Sequence, residues 1–302
     1  MIKRSVEISG GPAHLSLRDR QLVLTREGSE LATIPIEDLG VLIVDHPGCT
    51  YTHGALVAMA ENNVSVVISG ANHHPAGLLA PFEGHSLQGE AIIAQAAASD
   101  ALRARIWREV VKAKISAQAA LLEFFGAEPG ALRDLARRVK SGDPENLEAQ
   151  AAQRYWRHAL GDGFRRSRDG DPPNNLLNYG YTVLRAATAR AVCGAGLSPS
   201  LGIHHRNRYN AFALADDLME PLRPAVDAQV RLLWKQGISE LDKPSRATLI
   251  GVLAKPVIWK DERSPLMVAM QRYAASVREV LAGEIKRPII PTLFLEGDED
   301  SP

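Results

Sequence analysis

Ala101–Phe125, ALRARIWREVVKAKISAQAALLEFF, is where the texture of the chain declares itself. Leu102, Ile106, Val110, Ala113, Ala117 and Leu121 recur three or four apart, which lines them along one side of a long helix with Arg and Lys opposite. Upstream the period is different. From Ser5 to about Phe82 the segments SVEIS, AHLSL, QLVLT, ELATIPI and GVLIV are rich in Val, Ile, Leu and Thr and bounded by turn residues, as strands are. Arg18-Asp19-Arg20 and Glu27-Gly28-Ser29 have hairpin-turn character, so the early strands are expected to be antiparallel neighbours. One helix is predicted among them, from a Thr52 cap to Asn62, with VSVVIS following as a strand and His73-His74-Pro75 breaking the regularity. Downstream, helices are predicted at Leu132 to Lys140, Pro144 to Leu160, Asn174 to Cys193, Asn210 to Gln236 with irregularity, Ser245 to Val252, and Pro265 to Leu281. The polar, acidic residues from Glu296 to Pro302 read as a frayed tail. The expected fold is α+β: a β-rich domain with one helix over residues 1–84, then a larger all-α domain over 85–302.

Bulk properties narrow the function classes. With 302 residues and 45% hydrophobic content, two domains are expected. Lys and Arg together number 35, as do Asp and Glu, so any nucleic-acid site must be a local patch on a neutral chain. Two cysteines, Cys49 and Cys193, exclude a disulfide framework and a thiolate zinc site and fit a reducing cytoplasm. The start MIKRSVEISGG lacks a signal-peptide core, and no run approaches the roughly 20 apolar residues of a membrane span, so a cytoplasmic location without membrane contact is expected.

Chemistry concentrates in three helical-half segments: Asn146–Trp156 (NLEAQAAQRYW), Pro172–Leu184 (PPNNLLNYGYTVL) and Leu201–Pro224 (LGIHHRNRYNAFALADDLMEPLRP). Asp217 and Glu220, three apart, share a helix face and can aim two carboxylates at one cation; Asp216 lies one position round. His204 and His205 precede them in a loop-like segment, and spacing alone leaves the choice between them open. A carboxylate and imidazole set suits Mg2+ or Mn2+, the nitrogen favouring Mn2+. The competing reading is a solvated acidic helix face with a hydrogen-bonded histidine beside it. Glu148 near a helix start is by itself an ordinary dipole-favoured surface residue. Arg206 and Arg208 beside the histidines suit phosphate neighbours, and residues 103–168 hold fourteen Lys and Arg against eight Asp and Glu. Arg103, Arg105, Arg108, Lys112 and Lys114 decorate the long helix. Arg154, Arg165, Arg166, Asn178 and Tyr179 are further candidate DNA contacts, although helix packing explains the last two equally well.

On these segments, together with IPIEDLGVLIVD (Ile34–Asp45), THGALVAMAENNVSVV (Thr52–Val67) and HHPAGLLAPFEGH (His73–His85), the chain resembles the CRISPR-associated spacer integrases, most closely their short type II branch. The resemblance covers nearly the whole chain. It implies a metal held by Glu148, His205 and Glu220, with Asp217 as an accompanying catalytic acid and Mg2+ or Mn2+ as cofactor. It also implies the reaction: the 3′-hydroxyl of a short captured DNA attacks a phosphodiester at a repeat end of a CRISPR array. The implied partners are the spacer duplex and repeat DNA, a second copy of the chain, a small second adaptation protein, and in some systems an effector nuclease and an accessory adaptation protein. The rival readings are a stand-alone divalent-metal DNA nuclease and a non-catalytic DNA-binding scaffold.

Overall fold

The strand-like segments of the first part of the chain form two four-stranded sheets. The computed structural model describes residues 3–70, 75–79, 81, 85–161, 163–167, 170–205 and 207–295. The first strands are β1 (Arg4–Ile8), β2 (His14–Arg18), β3 (Gln21–Arg26), β4 (Ser29–Pro35), β5 (Leu39–Val44) and β6 (Thr50–Tyr51). Helix α1 (His53–Glu61) follows, then β7 (Ser65–Ser69) and β8 (Pro75–Leu79). One sheet runs β4-β3-β2-β6, and its two hairpins turn at Asp19-Arg20 and Glu27-Gly28, where all four residues have positive φ. That backbone matches the right-handed twist of the flanking strands, so β2, β3 and β4 are antiparallel as expected. The other sheet, β1-β5-β7-β8, departs from that expectation: β1, β5 and β7 are mutually parallel. All six residues of β5 are buried, the continuous apolar run of a strand covered on both faces. Thr52 caps α1 by accepting the Ala55 N–H at 3.2 Å.

The second part of the chain is mainly helical: α2 (Gln88–Ala97), α3 (Asp100–Phe124), α4 (Gly130–Arg138), α5 (Leu147–Leu160), α6 (Asn174–Gly194), α7 (Ala213–Met219), α8 (Arg223–Lys235) and α9 (Lys243–Gly251). Then come β9 (Pro256–Trp259), β10 (Glu262–Pro265), α10 (Leu266–Leu281) and β11 (Thr292–Leu293). The α+β architecture is the expected one. Two elements are additional: α2, and a small β10-β9-β11 sheet inside the half expected to be all helix. Its hairpin turns at Lys260-Asp261, both at positive φ, and short segments such as PVIW carry too little periodicity to announce a strand. The residues proposed as a frayed tail lie outside the described residues, as do His73 and His74.

Sheet β1-β5-β7-β8 joins the halves. Leu42, Val44 and Val66 pack with Leu15, Leu22 and Met59 on one side, whereas Val41, Ile43 and Val67 belong to the core of the helices on the other. Arg246 of α9 crosses this boundary. Its Nε lies 2.9 Å from Glu7 of β1 and its Nη1 donates to Asp45 at 3.2 Å, with all three side chains nearly sealed from water. Strand β8 ends at Leu79 and α2 begins at Gln88.

Candidate metal and nucleic-acid site

Helix α3 is the floor of the site. Ser99 caps it by accepting the Leu102 N–H, and it buries Ile106, Trp107, Val110, Val111, Ile115 and Leu122, a face broader than the periodic stripe. Lys114 lies on that face, four residues after Val110 and seven after Trp107, and is only 7% exposed. It is not one of the lysines that decorate the outside of the helix. Its ammonium donates to Glu148 and, at 2.5 Å, to Glu220 Oε2.

Each glutamate is held by its own local device. The Asp143 carboxylate accepts the N–H groups of Leu147 and Glu148 at 2.9 and 3.0 Å, satisfying the first turn of α5 and placing Glu148 there. Glu220 opens the short 3-10 turn Glu220–Leu222 between α7 and α8, where Pro221 and Pro224 deny the backbone the donors a continuous helix needs. Its second oxygen accepts from Arg223 Nε at 2.9 Å. Burial works against the charge of Glu220, but the Lys114 and Arg223 cations prevail and hold its pKa down to about 2. Burial likewise opposes the charge of Lys114, and Glu220 and Glu148 reverse it, so that its pKa is raised.

The histidines are aimed from the loop between α6 and α7. Asp217, fully buried on α7, accepts the backbone N–H groups of Ile203, His204 and His205 at 2.6, 2.8 and 3.2 Å, and meets His205 Nδ1 at 2.5 Å. A carboxylate can only accept, so Nδ1 carries the proton and Nε2 keeps its lone pair for an ion. The hydrogen bond it donates to Asp217 raises the His205 pKa against the opposing effect of burial, and the charge of Glu220 adds to the rise. His204 instead lies flat on Trp107, with ring centroids 4.1 Å apart, and burial lowers its pKa. Gly202 allows the turn: a Cβ there would meet the His205 carbonyl oxygen at 2.2 Å.

Asp216 points away, paired with Arg185 at 2.6 Å, as its position one step round the helix implied. Asp217 is a carboxylate that orients His205 rather than a second one facing the cation. Among the candidate DNA contacts, Arg154, Arg165 and Arg208 are exposed. Arg166 donates to Asn178 at 2.6 Å and to Asn174 at 3.1 Å, so Asn178 orders an arginine beside the site. Tyr179 must be withdrawn as a DNA contact: it is 4% exposed, in the interior near Glu7, and burial raises its pKa. Arg206 lies outside the described residues. Sequence reasoning missed Lys114 and Arg223 as site residues, and it missed Asp227. This fully buried acid of α8 accepts from Tyr155, at 3.0 Å, and Tyr181. Burial raises its pKa to about 6 although the tyrosine hydrogen bonds oppose this. Arg223 lies over the Tyr181 ring, 4.5 Å from its centroid, which couples this buried acid to the glutamates. Only the helical period of α3 could have flagged Lys114, and nothing local singles out Asp227.

Among the described residues, no three His, Cys, Asp or Glu side chains already surround one point as a ligand cage. Yet Glu148 and Glu220 both touch one nitrogen, which puts those two oxygens within about 5 Å of each other. Glu220 is close enough to His205 for their charges to act on each other's ionisation. Two carboxylates gathered on a cation, beside an imidazole with a carboxylate behind it, form a donor set that fits Mg2+ or Mn2+. Such a group can hold a hard divalent ion against phosphate oxygens, with exposed arginines at its margin.

Comparison with known proteins gives one consistent answer. The family profile described as CRISPR associated protein Cas1 matches residues 7–246. A CRISPR-associated endonuclease Cas1 from Neisseria meningitidis is 35% identical over 298 residues, covering 96% of this chain and 97% of that protein. Another from Pyrobaculum aerophilum is 26% identical over 283 residues, covering 88% and 95%. Among solved structures, a casposase bound to integration product superposes with a TM-score of 0.80 at 20% identity, covering 100% of this chain and 96% of that one. A Cas1 protein from Thermotoga maritima gives 0.74 at 17% identity, covering 97% and 100%. At these identities the two structures speak for the fold.

Proposed function

Because the chain belongs to the Cas1 family of CRISPR-associated proteins, we propose that it is a DNA endonuclease and integrase of CRISPR adaptation that joins captured DNA to an array through a divalent ion at Glu148, His205 and Glu220. The single observation behind the site is that the two glutamates, from α5 and from the α7–α8 turn, meet on one buried cation beside an imidazole whose Nδ1 is already engaged. Mg2+ or Mn2+ bound there would neutralise charge gathering on the scissile phosphate and make a hydroxyl or water a better nucleophile.

The chain's own residues then have separate tasks. Glu148 and Glu220 supply oxygen ligands, and Arg223 keeps Glu220 from turning away. His205 offers Nε2, and Asp217 holds the ring, making it a positioning residue. Arg154, Arg165 and Arg208, exposed on the helical half, are suited to phosphates next to the reacting one. A 3′-hydroxyl as nucleophile gives strand joining; water in the same place gives cleavage, so nuclease activity accompanies integration.

Two ends of one duplex need two such sites, which supports a homodimer. A solved relative of similar fold is a Cas6-RT-Cas1–Cas2 complex, and a small Cas2-like adaptation protein is the partner proposed here. The strand-rich half, without a comparable charge cluster, is assigned to dimer and partner contact. Effector and accessory proteins of adaptation are further candidate partners. Among the described residues no helix is long and apolar enough to cross a membrane, and a cytoplasmic location is proposed.

The deciding experiment incubates the protein and its Cas2-like partner with a short duplex bearing 3′-hydroxyls and a repeat-containing target. Joined product is expected with Mg2+ or Mn2+, and none with a chelator or with Glu220→Ala. Cutting without joining would make it a stand-alone nuclease. Undiminished joining by Glu220→Ala would leave only a DNA-binding scaffold at this site.

A further inference from the structure

The place between Glu148 and Glu220 is filled by a lysine, and that has a consequence for how an ion enters. Lys114 Nζ spends two of its three donors on these carboxylates. Arg223 holds the far oxygen of Glu220, whereas among the described residues no second cation pairs with Glu148, whose side chain is 27% exposed. A divalent ion would require the same oxygens at about 2.1 Å, and an ammonium left at hydrogen-bond distance from them would stand within a few ångströms of it, strongly repelled in a site with little water. Competition for the same oxygens sets the two cations against each other.

We propose that the Lys114 ammonium is a placeholder cation, holding Glu148 and Glu220 together in the metal-free protein and displaced when a divalent ion binds. Resting on the metal reading above, this makes ion binding an exchange of one cation for another. Without a placeholder, two carboxylates meeting in a largely buried site would repel each other and swing apart. A lysine suits the task better than an arginine, because its charge is a compact point on a flexible four-carbon stem that can turn the ammonium aside while the stem stays packed. Arg223 keeps Glu220 in place during the exchange, so Glu148 and Lys114 are the parts that move. The partly exposed side chain of Glu148 and the half-exposed one of His205 mark the open side toward which the ammonium can turn. Lys114 is thus a positioning residue. It preorganises the ligands and also opposes the ion that will use them.

The test is Mn2+ affinity, read by electron paramagnetic resonance of free Mn2+ on the full-length protein without DNA. Lys114→Gln, which keeps a hydrogen-bond donor but removes the charge, is expected to bind Mn2+ at least tenfold more tightly than wild type and to melt at lower temperature without metal. Mn2+ should then restore more of the melting temperature in the variant than in wild type. Unchanged or weaker Mn2+ binding by Lys114→Gln overturns the exchange. If that variant does not fold, amine acylation of the wild type decides: Lys114 should be protected in chelator and react faster with Mg2+, and equal protection in both overturns the proposal. Glu220→Gln separates the two readings, because a wild type that binds no more Mn2+ than this variant refutes the metal site itself. A wild type that binds Mn2+ normally beside an unimproved Lys114→Gln refutes the exchange alone.

Discussion

Two buried clusters in this molecule have nearly the same composition and different fates. At the boundary between the halves, Arg246 lies between Glu7 and Asp45; on the floor of the helical half, Lys114 lies between Glu148 and Glu220. In the first, all three side chains are 11% exposed or less, and the cation is a rigid planar fork in α9. In the second, the cation is flexible, one carboxylate is 27% exposed, and a half-exposed histidine stands beside it. Charge content alone does not make a site. Access from water and a replaceable cation do, and the sealed cluster acts as a strap between β1, the residue just after β5, and α9.

Breaking the strap should give the largest effect. Arg246→Met removes the cation shared by two buried carboxylates and is expected to cost about 3–5 kcal/mol in urea unfolding. Mn2+ affinity of the folded fraction should remain as in wild type; a stable variant with weakened metal binding would erase the distinction between the clusters. Next comes the carboxylate behind the histidine. Asp217→Asn retains one acceptor oxygen but loses the charge that orients His205, and Mn2+ affinity should fall about 10–100-fold.

The two clusters also answer differently to pH. Burial raises the Glu7 pKa despite Arg246, so its share of stability is full below pH 4.5 and is lost as pH rises through the raised folded value. The His205 pKa is raised above 6.5, so its share of metal-free stability is full below 6.5 and fades as pH rises through the folded value. An ion needs the unprotonated Nε2. Lowering pH from about 8 toward 6.5 should therefore weaken Mn2+ binding by up to about tenfold per unit, as protons compete, while the metal-free protein becomes no less stable. Calorimetric titration and thermal melts across that range check both. The smallest effect belongs to an exposed arginine outside either cluster. Arg165→Ala should leave stability unchanged and reduce the salt dependence of DNA binding by about one unit of slope, and an unchanged slope would remove Arg165 from the DNA surface.

Much of this was legible before folding. The shift from period two to period 3.6 announced the α+β division, and the hairpin turns named the antiparallel strands. The spacing of Asp217 and Glu220 placed both acids on one side of α7 and the turn after it. Their separate tasks were hidden, because only the folded loop brings the Ile203, His204 and His205 N–H groups onto Asp217. Tyr179 was misplaced because an aromatic near a polar motif reads as a surface contact until the β1 side of the interface covers it. The parallel pairing of β1, β5 and β7 was also hidden, since an apolar run does not reveal which strand lies beside it.

What the sequence determined by itself is local: periodicity, turn chemistry, the prolines that end α7, and the residue types from which a divalent ion could be held. What tertiary structure decided is which of these meet. Lys114 became part of the site because α5 and the α7–α8 turn both pack against α3, and Arg246 became a strap because α9 reaches β1. The physical reason is that a charge has no fixed role along a chain. Its partner, its burial and its access to water come from segments distant in sequence, and those three set whether it binds, positions or merely holds.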